Sequence, residues 1–129
     1  MMAKLWLALA GANGFLAVAA GAFGAHGLKK ALAAAPDGAQ RLDWWHTAAQ
    51  YHLAHALALG LVAALAPHVV GRTAPLAGWF FLAGLVLFSG SLYTMTLTGV
   101  RALGAVTPVG GVCLLAGWLA VGLSAWRLR

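Results

Sequence analysis

Residues 73–100 read TAPLAGWFFLAGLVLFSGSLYTMTLTGV and contain no formally charged side chain. A helix needs roughly 20 apolar residues to cross a hydrocarbon core of about 30 Å, so this segment is long enough to span a membrane. Residues 5–28, 44–71 and 102–126 are also free of formal charge. The eight basic and two acidic side chains fall between these segments or near the chain ends. The pattern therefore predicts four membrane crossings.

The composition favours membrane helices over a soluble fold or a β-barrel. Hydrophobic residues make up 63% of the chain and charged residues 8%, which is far from the balance of a water-soluble domain. Alanine, leucine, glycine and valine run continuously through each segment, whereas a membrane strand alternates apolar and polar side chains. Lipid cannot satisfy backbone N–H and C=O groups, so helices are the remaining solution. We expect an all-α integral membrane protein, a four-transmembrane-helix bundle with both termini on the same side.

The 129 residues are long enough for one membrane domain. Its predicted spans cover approximately residues 5–28, 44–66, 76–98 and 102–126. Residues 29–43 join the first two spans and hold both acids and the turn-prone pair Pro36 and Asp37. This connection is predicted to be an aqueous loop or a partly helical stretch lying on the bilayer surface.

The basic residues stand singly or as one pair at the ends of the spans, where membrane proteins usually carry them. They do not gather into the patch that a nucleic-acid-binding protein presents, so we expect no nucleic-acid partner. Tryptophans near the span ends are predicted to keep their indole N–H groups in the membrane interface. These residues are Trp6, Trp44, Trp45, Trp79 and Trp126.

Small residues recur at helical spacing in the first and last spans. In the first span they are Ala10, Gly14, Ala17, Gly21 and Gly24; in the last they are Gly110, Cys113, Gly117, Ala120 and Ser124. Membrane helices associate through close van der Waals contact, so these stripes predict that the first and last helices approach each other along their lengths. Four helices enclose little interior volume, so a homo-oligomer is also predicted.

Polar side chains concentrate in one half of the membrane. In an up-and-down bundle, the ends of the first and third spans share a depth with the beginnings of the second and fourth. Asn13 and His68 alone fall toward the other side. The predicted ligand-binding site or polar network consists of His26, Tyr51, His52, His55, Ser89, Ser91, Tyr93 and Thr107.

Three interpretations of this polar half remain open. Neutral imidazoles of His26, His52 and His55 are suitable ligands for a transition metal or haem, although no acid or cysteine accompanies them. The histidines and nearby hydroxyl groups are also typical of a pathway for protons or a small solute. The third interpretation is that the same groups hydrogen-bond between helices and fix the bundle. The interpretation with no bound cofactor is preferred.

Enzyme chemistry has little support in the sequence. Asp37 and Asp43 are the only carboxylates, and both lie in the connection outside the spans. Paired acid–base catalysis inside the membrane is therefore not available. A serine near His52 is better explained by a hydroxyl that bonds its own helix than by a nucleophile. We therefore expect that the protein is not an enzyme.

Four ordered motifs resemble a known family. They are residues 21–28 (GAFGAHGL), 47–56 (TAAQYHLAHA), 87–93 (LFSGSLY), and 107–111 (TPVGG) followed by Gly117 and Trp118. The chain is similar over almost its whole length to the small membrane proteins with domain of unknown function 423, the YgdD-like and transmembrane protein 256-like family. This resemblance implies a multi-pass protein of the bacterial inner (cytoplasmic) membrane without an assigned activity.

The sequence thus predicts a small integral membrane protein that binds or passes a small ligand or proton at its polar half. The alternative is an accessory or assembly subunit of a larger membrane complex, with no ligand chemistry of its own. Both functions require a lipid bilayer as the surrounding medium.

Overall fold

The computed structural model describes residues 2–129, so Met1 lies outside the described part of the predicted domain. Four long helices follow one another along the chain. They are α1 (Met2–Leu32), α2 (Gly38–Leu65), α3 (Thr73–Thr98) and α4 (Arg101–Arg127). All four are long and apolar enough to cross a membrane. The prediction of an all-helical, four-span bundle is confirmed.

Two of these helices are irregular. In α1, the segment Gly24–Leu28 is π-helical, between α-helical segments Met2–Phe23 and Lys29–Leu32. In α4, 3₁₀ turns flank the α-helical segment Thr107–Ser124. Most of the predicted connection at residues 29–43 is helical, because α1 continues to Leu32 and α2 begins at Gly38. Pro36 disfavours the α conformation of Ala35, which agrees with the break between the helices.

The helices pack mainly on their neighbours in the sequence. Helix α2 packs against α1 and α3, and α4 packs against α3. The buried core contains Leu59 and Val62 from α2, Phe81 from α3 and Leu114 from α4. Across residues 2–129, α1 and α4 share no more than isolated contacts. The prediction that the first and last helices approach along their lengths is therefore wrong.

The small residues of α4 instead allow close approach to α3. A Cβ atom at Gly110 would overlap the backbone nitrogen of Phe88 and lie 2.8 Å from the Leu87 carbonyl carbon. A Cβ at Gly117 would press on the Phe81 ring. The stripe therefore predicted a packing face correctly, but spacing alone does not identify the helix that packs on it.

Two of the tryptophans predicted to lie in the interface are buried. Trp6 is fully buried against Gly78, whose missing side chain leaves room for the indole, and forms an edge-to-face pair with Trp79 at 5.2 Å. Trp45 is also buried, between α1 and α3. Trp79 and Trp126 are exposed, as expected for interfacial tryptophans.

Arg41 joins the beginning of α2 to the end of α3. Its Nε donates to the Thr96 carbonyl at 2.7 Å and its Nη2 to the Leu97 carbonyl at 3.0 Å. These carbonyls belong to the last turn of α3. Carbonyl groups in the last turn of a helix have no N–H donor within the helix, so Arg41 supplies one. Asp37 lies between Arg41 and Arg101, at 3.8 and 3.7 Å. Hydrogen bonds from Arg41 and ion pairs between Asp37 and two arginines therefore hold this end of the bundle together.

Replacing Gly110 by alanine tests the contact between α3 and α4. The added methyl would force these backbones apart, and overpacking of this kind typically costs about 1–3 kcal/mol. We expect Gly110→Ala to lower the free energy of unfolding, measured by denaturant titration in detergent micelles. Gly122→Ala is the control on the same helix, because a Cβ there meets nothing within 4 Å. Equal stability of the two variants would contradict the packing described.

Candidate functional site

His52 connects three helices by hydrogen bonds. Its Nε2 is 3.1 Å from Asn13 Oδ1 on α1, and its Nδ1 is 3.2 Å from the Tyr93 hydroxyl on α3. The Asn13 amide nitrogen donates to the Leu9 carbonyl at 2.8 Å, so the amide oxygen faces the imidazole. This oxygen can only accept, so His52 Nε2–H donates to it and Nδ1 accepts from the Tyr93 O–H. These groups satisfy one another where lipid offers no partner.

An aromatic cluster lies next to this network, toward the end of α1. The Trp45 ring packs on Tyr93, with ring centroids 4.5 Å apart, and on Phe23 at 5.5 Å. The Trp45 Nε1–H donates to the Ala20 carbonyl at 2.7 Å. Gly24 makes room for the indole, because a Cβ there would lie 2.8 Å from Trp45 Nε1. The π-helical turn of α1 thus begins where Trp45 contacts the helix.

His55 is three residues further along α2 and is bonded to α4. Its Nδ1–H donates to the Tyr51 carbonyl at 2.8 Å, and the Trp118 indole N–H donates to its Nε2 at 3.1 Å. A carbonyl only accepts and an indole N–H only donates, so these two bonds determine the tautomer. The rings of Tyr51, Phe81 and Trp118 surround the imidazole at centroid distances of 5.9, 5.5 and 6.1 Å. Both nitrogens of His52 and of His55 therefore have protein partners.

A groove of about 410 Å³ opens beside His55. Aromatic rings from three helices line it: Tyr51 from α2, Phe88 from α3 and Trp118 from α4. Apart from His55, the remaining lining comes from α4 and includes Gly111, which leaves space for an occupant. Tyr51 and Phe88 lie against each other with centroids 4.4 Å apart. The groove is thus a largely apolar site with flat walls and few polar groups.

A second, smaller cleft of about 170 Å³ lies beside His52. Asn13, Ser89 and Tyr93 contribute its polar lining. The His52 nitrogens already bond Asn13 and Tyr93, so these polar side chains are less available to a ligand in the cleft.

The predicted hydroxyl groups bond between helices. Ser89 donates to the Ala48 carbonyl on α2 at 2.9 Å. The Ser91 hydroxyl is 2.7 Å from the Thr107 hydroxyl on α4 and also donates to the Phe88 carbonyl at 2.9 Å. These bonds connect α3 to the helices on both sides of it.

His26 does not join the other two histidines. It is exposed in the π-helical turn, roughly 20 Å along α1 from Asn13 at helical rise. The part of the chain that the structure describes brings no three histidine, cysteine or acidic side chains together in a metal-binding arrangement. The set of His26, His52 and His55 considered above as metal or haem ligands is therefore not assembled.

Two residues of the site were not predicted from the sequence. Asn13 was assigned to the opposite half of the membrane, yet it bonds His52. The assignment failed because it counted depth from the ends of uncharged segments, whereas the α1–α2 register places Ala10 beside Gly60. An amide inside an apolar span was the available signal, since it requires a partner. Trp118 belongs to a family motif, but the spacing of residues in the sequence gives no signal of its bond to His55.

Comparison with known proteins identifies the family. Residues 20–111 match the model of a protein family described as "Protein of unknown function (DUF423)". The chain belongs to this family. The resemblance seen in its sequence motifs is thereby confirmed, and the protein is a multi-pass integral membrane protein.

Bacterial relatives match almost the full length of the chain. The UPF0382 membrane protein YwdK of Bacillus subtilis is 46% identical over 123 residues, covering 95% of this chain and 96% of the relative. The UPF0382 inner membrane protein YgdD of Escherichia coli K12 is 42% identical over 136 residues, covering 100% and 95%. No solved structure matches this chain. The named relatives thus support the membrane location and assign no activity.

A double-mutant cycle tests the bond between His52 and Tyr93. Hydrogen bonds between membrane helices contribute about 0.6 kcal/mol on average and up to about 1.7 kcal/mol. We expect His52→Leu and Tyr93→Phe to show a coupling energy in this range when their free energies of unfolding in micelles are combined. Tyr51→Phe provides the matched control, because its hydroxyl has no bond to His52. The changes in the free energy of unfolding caused by Tyr51→Phe and His52→Leu should be additive. A coupling energy as large as that between Tyr93→Phe and His52→Leu would contradict the assigned network.

Proposed function

We propose that the protein binds a small lipid-soluble molecule with a flat ring in the groove lined by Tyr51, His55, Phe88 and Trp118. The supporting observation is the groove itself, about 410 Å³ in volume and walled by aromatic rings from three helices. Binding sites for small molecules typically have volumes of about 300–1,000 Å³ and are mostly apolar, with a few polar groups that orient the ligand. The ligand would enter sideways from the bilayer.

The Tyr51 hydroxyl gives the groove its specificity in this proposal. It makes no hydrogen bond to any of residues 2–129, unlike the hydroxyl of Tyr93. The ring of Tyr51 packs against the rings of Phe88 and His55. A phenol in an apolar medium gains most from an acceptor such as a carbonyl oxygen. The proposed ligand therefore carries an acceptor next to its ring.

The proposed function is binding without catalysis or proton transfer. A proton pathway needs a chain of groups that can each accept and release a proton. The chain through Tyr93, His52 and Asn13 ends at the Leu9 carbonyl, which cannot pass a proton on. Asp37 is paired with arginines at the end of the bundle, away from His55. The contacts therefore support binding rather than proton transfer.

Filling the groove is the direct test. Gly111→Leu would project a side chain into it, while its Cβ would make an ordinary contact of 3.8 Å with Phe88 Cδ2. We expect a ring-containing compound to copurify stoichiometrically with the wild type from bacterial membranes in mild detergent. Its amount, measured by solvent extraction and mass spectrometry, should fall several-fold in Gly111→Leu.

Gly122→Leu is the matched control for this experiment. The substitution is the same and lies on the same helix, but a Cβ at Gly122 meets nothing within 4 Å. This variant should retain the compound as the wild type does. If all three proteins yield the same compounds in equal amounts, or only bulk phospholipid, the groove holds ordinary lipid and the proposal fails.

Removing the Tyr51 hydroxyl tests how the ligand is oriented. A single hydrogen bond contributes about 1 kcal/mol, which is roughly a fivefold change in affinity. We expect Tyr51→Phe to weaken rebinding of the extracted compound by about this factor, measured by titration of the stripped protein. Tyr93→Phe should leave the affinity unchanged, because the Tyr93 hydroxyl bonds His52. Unchanged affinity in Tyr51→Phe would exclude the hydroxyl from recognition.

The second candidate function is that of an accessory subunit in a larger membrane complex. Helix α1 favours it, because a Cβ at Gly11, Gly14 or Gly21 would meet nothing within 4 Å. Small residues with free space allow another membrane helix to approach closely. Native electrophoresis in mild detergent should then show an assembly that Gly14→Leu disrupts. An assembly containing only copies of this chain would indicate a homo-oligomer instead.

A further inference from the structure

Two adjoining shallow depressions, together called the path, lie along the outer side of α3. The first, about 400 Å³, is lined by Met2, Arg72, Pro75, Leu76 and Trp79. The second, about 410 Å³, is lined by Trp79, Leu82, Ala83, Val86 and Leu87. Trp79 belongs to both, so one elongated molecule can occupy the two together. This path does not include Tyr51 or His55 and is separate from the groove considered above.

The path has a basic end. Arg72 lines the first depression, and the Arg127 guanidinium lies over the adjacent turn, since a Cβ at Gly71 would be 3.4 Å from Arg127 Nη1. The Val70 N–H donates to the Arg127 carbonyl at 2.8 Å, which holds α4 against this turn. Within the described chain, the ion pairs belong to Asp37, which bonds Arg41 and Arg101. Among residues 2–129, neither Arg72 nor Arg127 has a carboxylate partner, so this end attracts an anion.

The rest of the path is apolar and runs into the membrane. From Arg72 to Val86 the helical rise is about 21 Å, compared with about 15 Å for half of a hydrocarbon core of about 30 Å. Leu76, Trp79, Ala83 and Val86 offer no charge along this length. Its length and composition match an acyl chain that extends through one leaflet.

We propose that Arg72 and the outer face of α3 form a binding site for an anionic phospholipid. The phosphate lies at Arg72 and Arg127, and one acyl chain follows Leu76, Trp79 and Val86. A zwitterionic lipid has the same tail but lacks the net negative charge that the unpaired arginines favour. A free phosphate ion lacks the tail that the apolar part accommodates.

The test compares how well the delipidated protein retains two lipids. Native mass spectrometry would be recorded after addition of dioleoyl phosphatidylglycerol or dioleoyl phosphatidylcholine. The anionic lipid should be retained preferentially. Each basic residue near a membrane surface contributes about 1 kcal/mol of attraction to anionic lipid, so Arg72→Gln should reduce this preference about fivefold. Arg72→Lys keeps the positive charge, so this variant should retain most of the preference for the anionic lipid.

Matched variants separate this site from general attraction to basic protein. Arg101→Gln removes the same charge at the Asp37 end and should leave the preference unchanged. Trp79→Ala should weaken retention, whereas Trp126→Ala removes another exposed tryptophan that does not line the path and should not. Equal losses in Arg72→Gln and Arg101→Gln would overturn the proposal. So would displacement of the lipid by inorganic phosphate alone, or a dimer that excludes the lipid from the path.

Discussion

Lipid offers no hydrogen-bond partner, so a polar group inside a bilayer is stabilised when it finds one within the protein, and this constraint shapes the centre of the bundle. The imidazoles of His52 and His55 each use both nitrogens, and their partners come from α1, α3 and α4 as well as α2 itself. Burial of apolar surface does not drive helices together in lipid, because lipid tails are as apolar as leucine. Close packing at small residues such as Gly110 and directional bonds at the two histidines together select the arrangement.

The fold could be predicted from the sequence because charge marks the limits of each span. The uncharged segments indicate four long helices, and residues 2–129 form four. The pairing of helices could not be predicted, since the small-residue stripe of α4 fits any close neighbour and its neighbour is α3. The backbone contact at Gly110 depends on the relative rotation of both helices, which spacing along one chain does not contain.

The candidate site was predicted in part. His52, Tyr93, Ser91 and Thr107 share a region because alternating helix direction brings their segments to one depth, and the structure pairs them. Asn13 was misplaced because the vertical register of α1 against α2 depends on contacts such as Trp45 with Ala20. The aromatic groove also depends on side-chain directions from three helices, so its shape follows only from the packed structure.

Each helix packs mainly on the helix that precedes it in the sequence: α2 on α1, α3 on α2 and α4 on α3. During synthesis each new helix therefore meets the surface it needs as soon as it enters the membrane. The bond from Trp118 to His55 completes the contacts of α2 once α4 has been added. Contacts between elements close in sequence also favour rapid folding, because little chain entropy is lost when they form. The architecture thus suits a bundle whose helices assemble one after another during synthesis.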